Sequence, residues 1–217
     1  DACALHLLQG REPRAALGVM PAGLPEIDSA LLQRRIDELS LITEAESPAV
    51  TRVLFSDADL RGRDYVAGLG RSAGLALRVD AVGNMFARWV GSAPDAPVVA
   101  TGSHIDAIPN AGKFDGVVGV LGALTAIEAL QEACFKPMRS IEIVVFTAEE
   151  PTRFGIGCLG SRMLAGALPL DKARALRDPE GQSLEDLRRR ADLTEPLETV
   201  ALPENFYSAF VELHIEQ

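Results

Sequence analysis

Apolar residues first fall into a helical rhythm between Ile27 and Ile42, where Leu32, Ile36 and Leu39 share one face and charged residues lie between them. Ser47-Pro48 breaks that run. Ser56-x-x-Asp59 carries the start signal of a second helix, which continues towards Ala73 and Gly74. Leu75 to Val79 and Asn84 to Val90 alternate or cluster apolar residues as strands, joined by a turn around Ala81-Val82-Gly83. Pro97 to Thr101 is a short apolar strand of the kind buried on both faces. Val117, Val120, Leu121, Leu124 and Ile127 make a helix face between Gly116 and Leu130, and Ser140 to Thr147 is the strongest strand of the chain. Leu159 to Ala165 reads as a short helix, Ser183-x-x-Asp186 caps another, and Ser208 to Leu213 is a last strand.

Strand, helix and strand alternate through the middle of the chain, which predicts an α/β sandwich with helices about a mainly parallel sheet. Residues 1–26 read as a short helix and an irregular lead-in, with Pro21 and Pro25 late in it. The stretch from Leu170 to Pro203 is charged and irregular, and its Arg188-Arg189-Arg190 run predicts a solvated helix face. There is no internal repeat and no low-complexity tract.

Composition narrows the function classes. The 217 residues are 47% hydrophobic with a formal net charge of −10. That is enough for a real core, and it disfavours a nucleic-acid or anionic-membrane surface. No apolar run approaches the roughly eighteen residues that a membrane span needs. Cys3, Cys134 and Cys158 are few, odd in number and widely spaced, so free thiols are expected rather than a disulfide framework or a zinc finger. The chain opens at Asp1 without a signal-peptide pattern and closes at Gln217 directly after a motif, so a fragment of a longer protein is expected.

The chemistry concentrates in few places. Thr101-Gly-Ser-His-Ile-Asp106 is followed by Asp115, Glu149-Glu150 end an apolar run, and His214 stands in Glu212-Leu-His-Ile-Glu-Gln217. Two of the three histidines fall in these motifs, each near a carboxylate, which is the ligand chemistry of a carboxylate-bridged metal site and of a metal-dependent hydrolase. His6 reads as a structural residue. In an extended segment His104 and Asp106 point the same way, so the carboxylate can orient the imidazole. Of the neighbouring Glu149 and Glu150, one can bind metal while the other acts as general base. His104, Glu149-Glu150 and His214 each follow a predicted strand and Asp115 precedes a helix. All four motifs therefore converge on the carboxyl rim of a parallel sheet.

Gly116, Gly119 and Gly122 resemble a dinucleotide-binding turn, but the spacing is wrong and Asp115 would face the pyrophosphate. Close packing of helix on sheet is the better reading of these small residues. A non-catalytic, metal-binding interaction protein is the other alternative, which a metal-binding measurement discriminates.

Four segments carry a resemblance: Ser103-His-Ile-Asp-Ala-Ile-Pro109, Gly112-Lys-Phe-Asp-Gly-Val-Val-Gly-Val-Leu-Gly122, Phe146-Thr-Ala-Glu-Glu-Pro-Thr-Arg-Phe-Gly155 and Glu212-Leu-His-Ile-Glu-Gln217. They resemble the amidase (hydantoinase/carbamoylase) branch of the M20 metallopeptidase family, over nearly all of the chain from about residue 25. Glu149 to Gly155, Cys158 to Arg162 and Leu32 to Ser40 are most similar to the plant-type members that act on ureidoglycolate. The resemblance implies that residues 27–217 are the N-terminal portion of the catalytic domain. A lid and dimerisation domain and a C-terminal segment with one further metal-binding histidine would lie outside the chain. It implies two divalent ions, commonly Mn2+ with Zn2+ as the alternative. His104 and His214 would hold one, Asp115 would bridge, and Glu150 would hold the second. Glu149 would be the general base, Asp106 would orient His104, and Gln217 would line the substrate pocket.

The implied reaction is hydrolysis of the ureido C–N bond of ureidoglycolate to glyoxylate, ammonia and carbon dioxide in purine (allantoin) catabolism. Allantoate and N-carbamoyl-L-amino acids are the alternative substrates. A homodimer in the endoplasmic reticulum or cytoplasm is also implied, and the 217-residue chain alone is expected to be inactive.

Overall fold

The computed structural model describes residues 23–215. Gln217 and the helix expected near the amino terminus lie outside the described residues. Helix α1 (Ser29–Ser40) starts where the Asp28 carboxylate accepts the Leu31 N–H at 2.8 Å. A helix of this length is marginal alone. It is held because Ile36 and Leu39 bury against Val117, Val120 and Leu121 of α3 (Val117–Glu132), as the spacing predicts. Helix α2 (Asp57–Ser72) opens on Ser56, whose hydroxyl accepts the Asp59 N–H.

Five strands form the main sheet: β2 (Ala76–Val79), β3 (Met85–Trp89), β4 (Val98–His104), β6 (Ile141–Phe146) and β7 (Tyr207–Val211). Their order is β2-β3-β6-β4-β7. β4 runs parallel to both β6 and β7, while β2–β3 and β3–β6 are antiparallel. The α/β layering is as expected, and the sheet is mixed where a mainly parallel one was expected. The reason is local: β2 and β3 are joined by a tight turn in which the Asp80 carboxylate accepts the N–H groups of Val82, Gly83 and Asn84. A turn that short can join only antiparallel strands.

Alternate residues of the sheet face opposite layers. Met85 and Val145 pack with α1, α2 and α3. Phe86, Val144 and Phe146 pack with α4 (Leu159–Leu164), α5 (Leu170–Ala175) and α6 (Leu184–Arg190). Two features have no counterpart in the sequence reading. One is α5. The other is a second small sheet in which β1 (Val50–Arg52) pairs antiparallel with β5 (Ala107–Ala111). β4 also runs further than its apolar stretch, because Gly102, Ser103 and His104 continue the ladder against Val144, Val145 and Phe146.

One expectation about the surface is overturned. Arg188 is buried, not solvated. Its guanidinium donates to the carbonyls of Ala81, Leu193 and Glu195 and pairs with Glu185 at 2.6 Å, tying α6 to the β2–β3 turn. Arg189 and Arg190 are exposed, as expected. Among the described residues no helix is long and apolar enough to cross a membrane.

Candidate metal centre

Because β4, β6 and β7 are parallel, their carboxyl ends open on one edge of the sheet, where crevices for ligands form. His104 is the last residue of β4, Glu149 and Glu150 lie just past β6, and His214 lies just past β7. Asp115 comes in on the loop that enters α3. The predicted convergence on one rim is therefore observed, with His104 inside its strand rather than after it.

Three donors close on one point. Asp115 Oδ1 stands 3.4 Å from His104 Nε2 and 3.1 Å from His214 Nε2, and the two Nε2 atoms are 3.4 Å apart. Donors about 2.05 Å from a tetrahedrally held ion stand about 3.3 Å from one another. The three atoms thus occupy three corners of such a site, and all lie within 4.8 Å of one another. His104 is fully buried, while His214 is partly exposed. The donor set fits a divalent cation.

The tautomer of His104 agrees. Its Nδ1 lies 3.0 Å from the Asp106 carbonyl oxygen, which can only accept, so Nδ1 carries a proton and Nε2 is the nitrogen presented to Asp115 and His214. The Asp106 carboxylate oxygen is 3.6 Å from the same Nδ1. That carboxylate also accepts the N–H groups of Glu149 at 3.2 Å and Glu150 at 3.0 Å. Asp106 thereby holds the β4 and β6 ends together at the site.

The centre is crowded with negative charge. Burial alone would lower the His104 pKa, but Asp106, Asp115 and Glu149 offset it and hold it well above the ordinary value. Burial raises Glu149, with Asp106 and Asp115 adding to the effect and the two histidines opposing it. Burial also pushes Glu150 up to about 7, opposed by His104 and reinforced by the neighbouring carboxylates. Such a cluster favours a cation, whether metal or proton.

Glu149 Oε2 is 3.7 Å from His104 Nε2, at the mouth of the donor set. The backbone of Glu150 is anchored on Asp106, but its side chain stands outside the three-donor group. Gln217 lies outside the described residues. Cys134 is a free, exposed thiol as expected, whereas Cys158 is disulfide-bonded. Its sulfur is 3.3 Å from Glu149 Oε1. A contact that sequence reasoning missed is the hydrogen bond from Ser103 Oγ to Glu212 Oε1 at 2.6 Å. Both residues sit inside recognisable motifs, but nothing in their spacing signals that they touch.

A model of Peptidase family M28 matches residues 84–183. The relatives fall in the amidase branch that the motifs indicated. Ureidoglycolate hydrolase of Arabidopsis thaliana is 53% identical over 197 residues, covering 88% of this chain and 41% of that protein. N-carbamoyl-L-amino acid amidohydrolase of Geobacillus stearothermophilus is 41% identical over 192 residues, covering 88% and 47%. The crystal structure of AtUAH in complex with glyoxylate matches with a TM-score of 0.85 at 51% identity, covering 89% of this chain and 47% of that one. The chain thus spans less than half the length of each of these three proteins.

Proposed function

Because the chain belongs to the amidohydrolase family that includes plant ureidoglycolate hydrolase and N-carbamoyl-L-amino acid amidohydrolase, we propose that the complete protein hydrolyses the ureido C–N bond of ureidoglycolate. The observation that carries this reading is the triangle of His104 Nε2, Asp115 Oδ1 and His214 Nε2, spaced for one divalent ion. In this reading His104, His214 and Asp115 would hold one ion, and Asp115 and Glu150 would hold a second. Mn2+ is the proposed metal and Zn2+ the alternative. When bound, the cation polarises the substrate carbonyl and acidifies water.

The chain's own residues do the rest. Asp106 fixes the ring of His104 and, through two backbone N–H groups, the placement of Glu149 and Glu150. Glu149 is the general base, and burial raises its proton affinity. It takes a proton from the attacking water and returns it to the amine nitrogen as the C–N bond breaks. Gln217, outside the described residues, is proposed to line the substrate pocket. Glyoxylate, ammonia and carbon dioxide are the end products, which places the protein in allantoin degradation. The complete protein is proposed to be a homodimer, with the endoplasmic reticulum or the cytoplasm as its compartment.

The test is ammonia release by the Mn2+-loaded complete protein from ureidoglycolate, allantoate and N-carbamoyl-L-amino acids. The expected result is a kcat/KM on ureidoglycolate at least about 100-fold above the others, a gap of about 2.7 kcal/mol in transition-state binding. Preference for a carbamoyl amino acid or allantoate would move the protein within the family. Bound metal with no turnover on any of them would leave a metal-binding interaction protein built on a hydrolase fold.

A further inference from the structure

We infer that Ser103 and Glu212 form a positioning pair that fixes His214 in the donor triangle, without either residue touching the cation. The inference rests on the metal reading above and names residues that reading does not use.

His214 has a placement problem. The ladder between β4 and β7 runs from Val98↔Tyr207 to Thr101↔Val211 and stops there. Residues 212–215 follow without strand structure, and all are exposed. A ligand carried on such a segment has no sheet hydrogen bonds to set its direction, yet His214 Nε2 reaches 3.1 Å from Asp115 Oδ1. Some other contact must replace the ladder.

The Ser103–Glu212 bond does so. Ser103 is fully buried, directly precedes His104, and is locked on its other side in register with Val145 of β6. Its hydroxyl donates to Glu212 Oε1 at 2.6 Å, a short charge-assisted bond. One side chain therefore ties the strand that carries the first histidine to the segment that carries the second. Helix α3 closes the same junction from the side. A Cβ built on Gly119 would fall 2.3 Å from the Leu213 carbonyl oxygen and 2.8 Å from Ser103 Cβ. With the Leu213 backbone pressed on Gly119 and Glu212 held by Ser103, the next residue, His214, has little freedom left. The arrangement is a clamp on the residue before the ligand and the one before that.

The experiment is Mn2+ titration of the metal-depleted complete protein, read by calorimetry or by the Mn2+ electron paramagnetic resonance signal. Glu212→Ala and Ser103→Ala are each expected to weaken binding at least about 10-fold, within the 10–100-fold range for groups that orient ligands. Glu212→Gln, whose amide oxygen still accepts from Ser103, is expected to stay within about 3-fold of wild type. The double alanine variant is expected to be no weaker than the worse single one, since both remove the same bond. Metal-free Glu212→Gln, which keeps the buried Ser103 hydroxyl paired, is expected to melt within about 2 °C of metal-free wild type.

Wild-type affinity in Glu212→Ala, additive losses in the double variant, or a Glu212→Gln affinity as weak as that of Glu212→Ala would overturn the positioning pair. A wild-type protein that binds neither Mn2+ nor Zn2+ would instead overturn the metal reading on which the pair depends.

Discussion

Gly116 lies directly against the ring of His104: a Cβ on Gly116 would fall 2.5 Å from both Cδ2 and Nε2 of that imidazole. The same residue has φ of 64°, a left-handed conformation that side chains rarely adopt. Two independent reasons thus require glycine at the step between Asp115 and α3. The absence of a side chain there lets the Asp115 carboxylate and the buried imidazole approach to 3.4 Å.

Gly116→Ala is accordingly expected to displace the His104 ring. Backbone strain at this φ costs about 1–3 kcal/mol, and Mn2+ affinity should drop at least about 10-fold. Chemical denaturation and metal titration measure the two effects separately. Wild-type affinity in this variant would show that the ring has room that the geometry denies it.

Glu149→Gln is expected to abolish turnover of the complete protein while its metal content stays near wild type. The amide keeps the size of the side chain and removes the proton acceptor. Retained turnover would refute the base assignment.

Asp106→Asn tests the hub. Both carboxylate oxygens accept backbone N–H groups, from Glu149 and Glu150. An amide must turn an NH2 group towards one of them. Metal affinity and kcat are both expected to fall, by about 10-fold or more, and metal content measured by elemental analysis should fall with them.

Arg188→Met tests the buried arginine. Its removal strands the carbonyls of Ala81, Leu193 and Glu195, and an unsatisfied buried acceptor costs about 1–3 kcal/mol. A loss of about 2–4 kcal/mol by urea unfolding is expected. A solvated helix-face arginine would give less than about 0.5 kcal/mol.

Chelation tests the metal through stability. Ions that bind only the folded state stabilise it by about 2.7 kcal/mol at a hundred times Kd. The melting temperature should therefore fall with a chelator and climb again as Mn2+ is restored. An indifferent melting temperature would argue against a cation shared between the segments of His104, Asp115 and His214.

Much of this molecule is legible in its residues. Leu32, Ile36 and Leu39 announce α1, Ser183 and Asp186 form the capping box of α6 that their spacing predicts, and Val117 to Ile127 announce the buried face of α3. His104, Asp115 and His214 are recognisable as ligand types beside carboxylates. Less legible are the features whose partners lie far off. β5 looks like loop until β1 pairs with it. Arg188 looks solvated until the β2–β3 turn arrives to accept its hydrogen bonds.

The sequence by itself determined most of the helices, the main strands and the kind of chemistry, because periodicity, caps and ligand types depend on residues a few positions apart. Only the tertiary structure decided that the sheet is mixed and that Glu150 stands outside the three-donor group while Ser103 reaches Glu212. It also decided that the imidazoles of His104 and His214, 110 positions apart, meet at 3.4 Å across Asp115. That meeting depends on parallel pairing of β4 with β7 and on the close approach of α3, and no local pattern encodes the distance at which separate strands bring their last residues together.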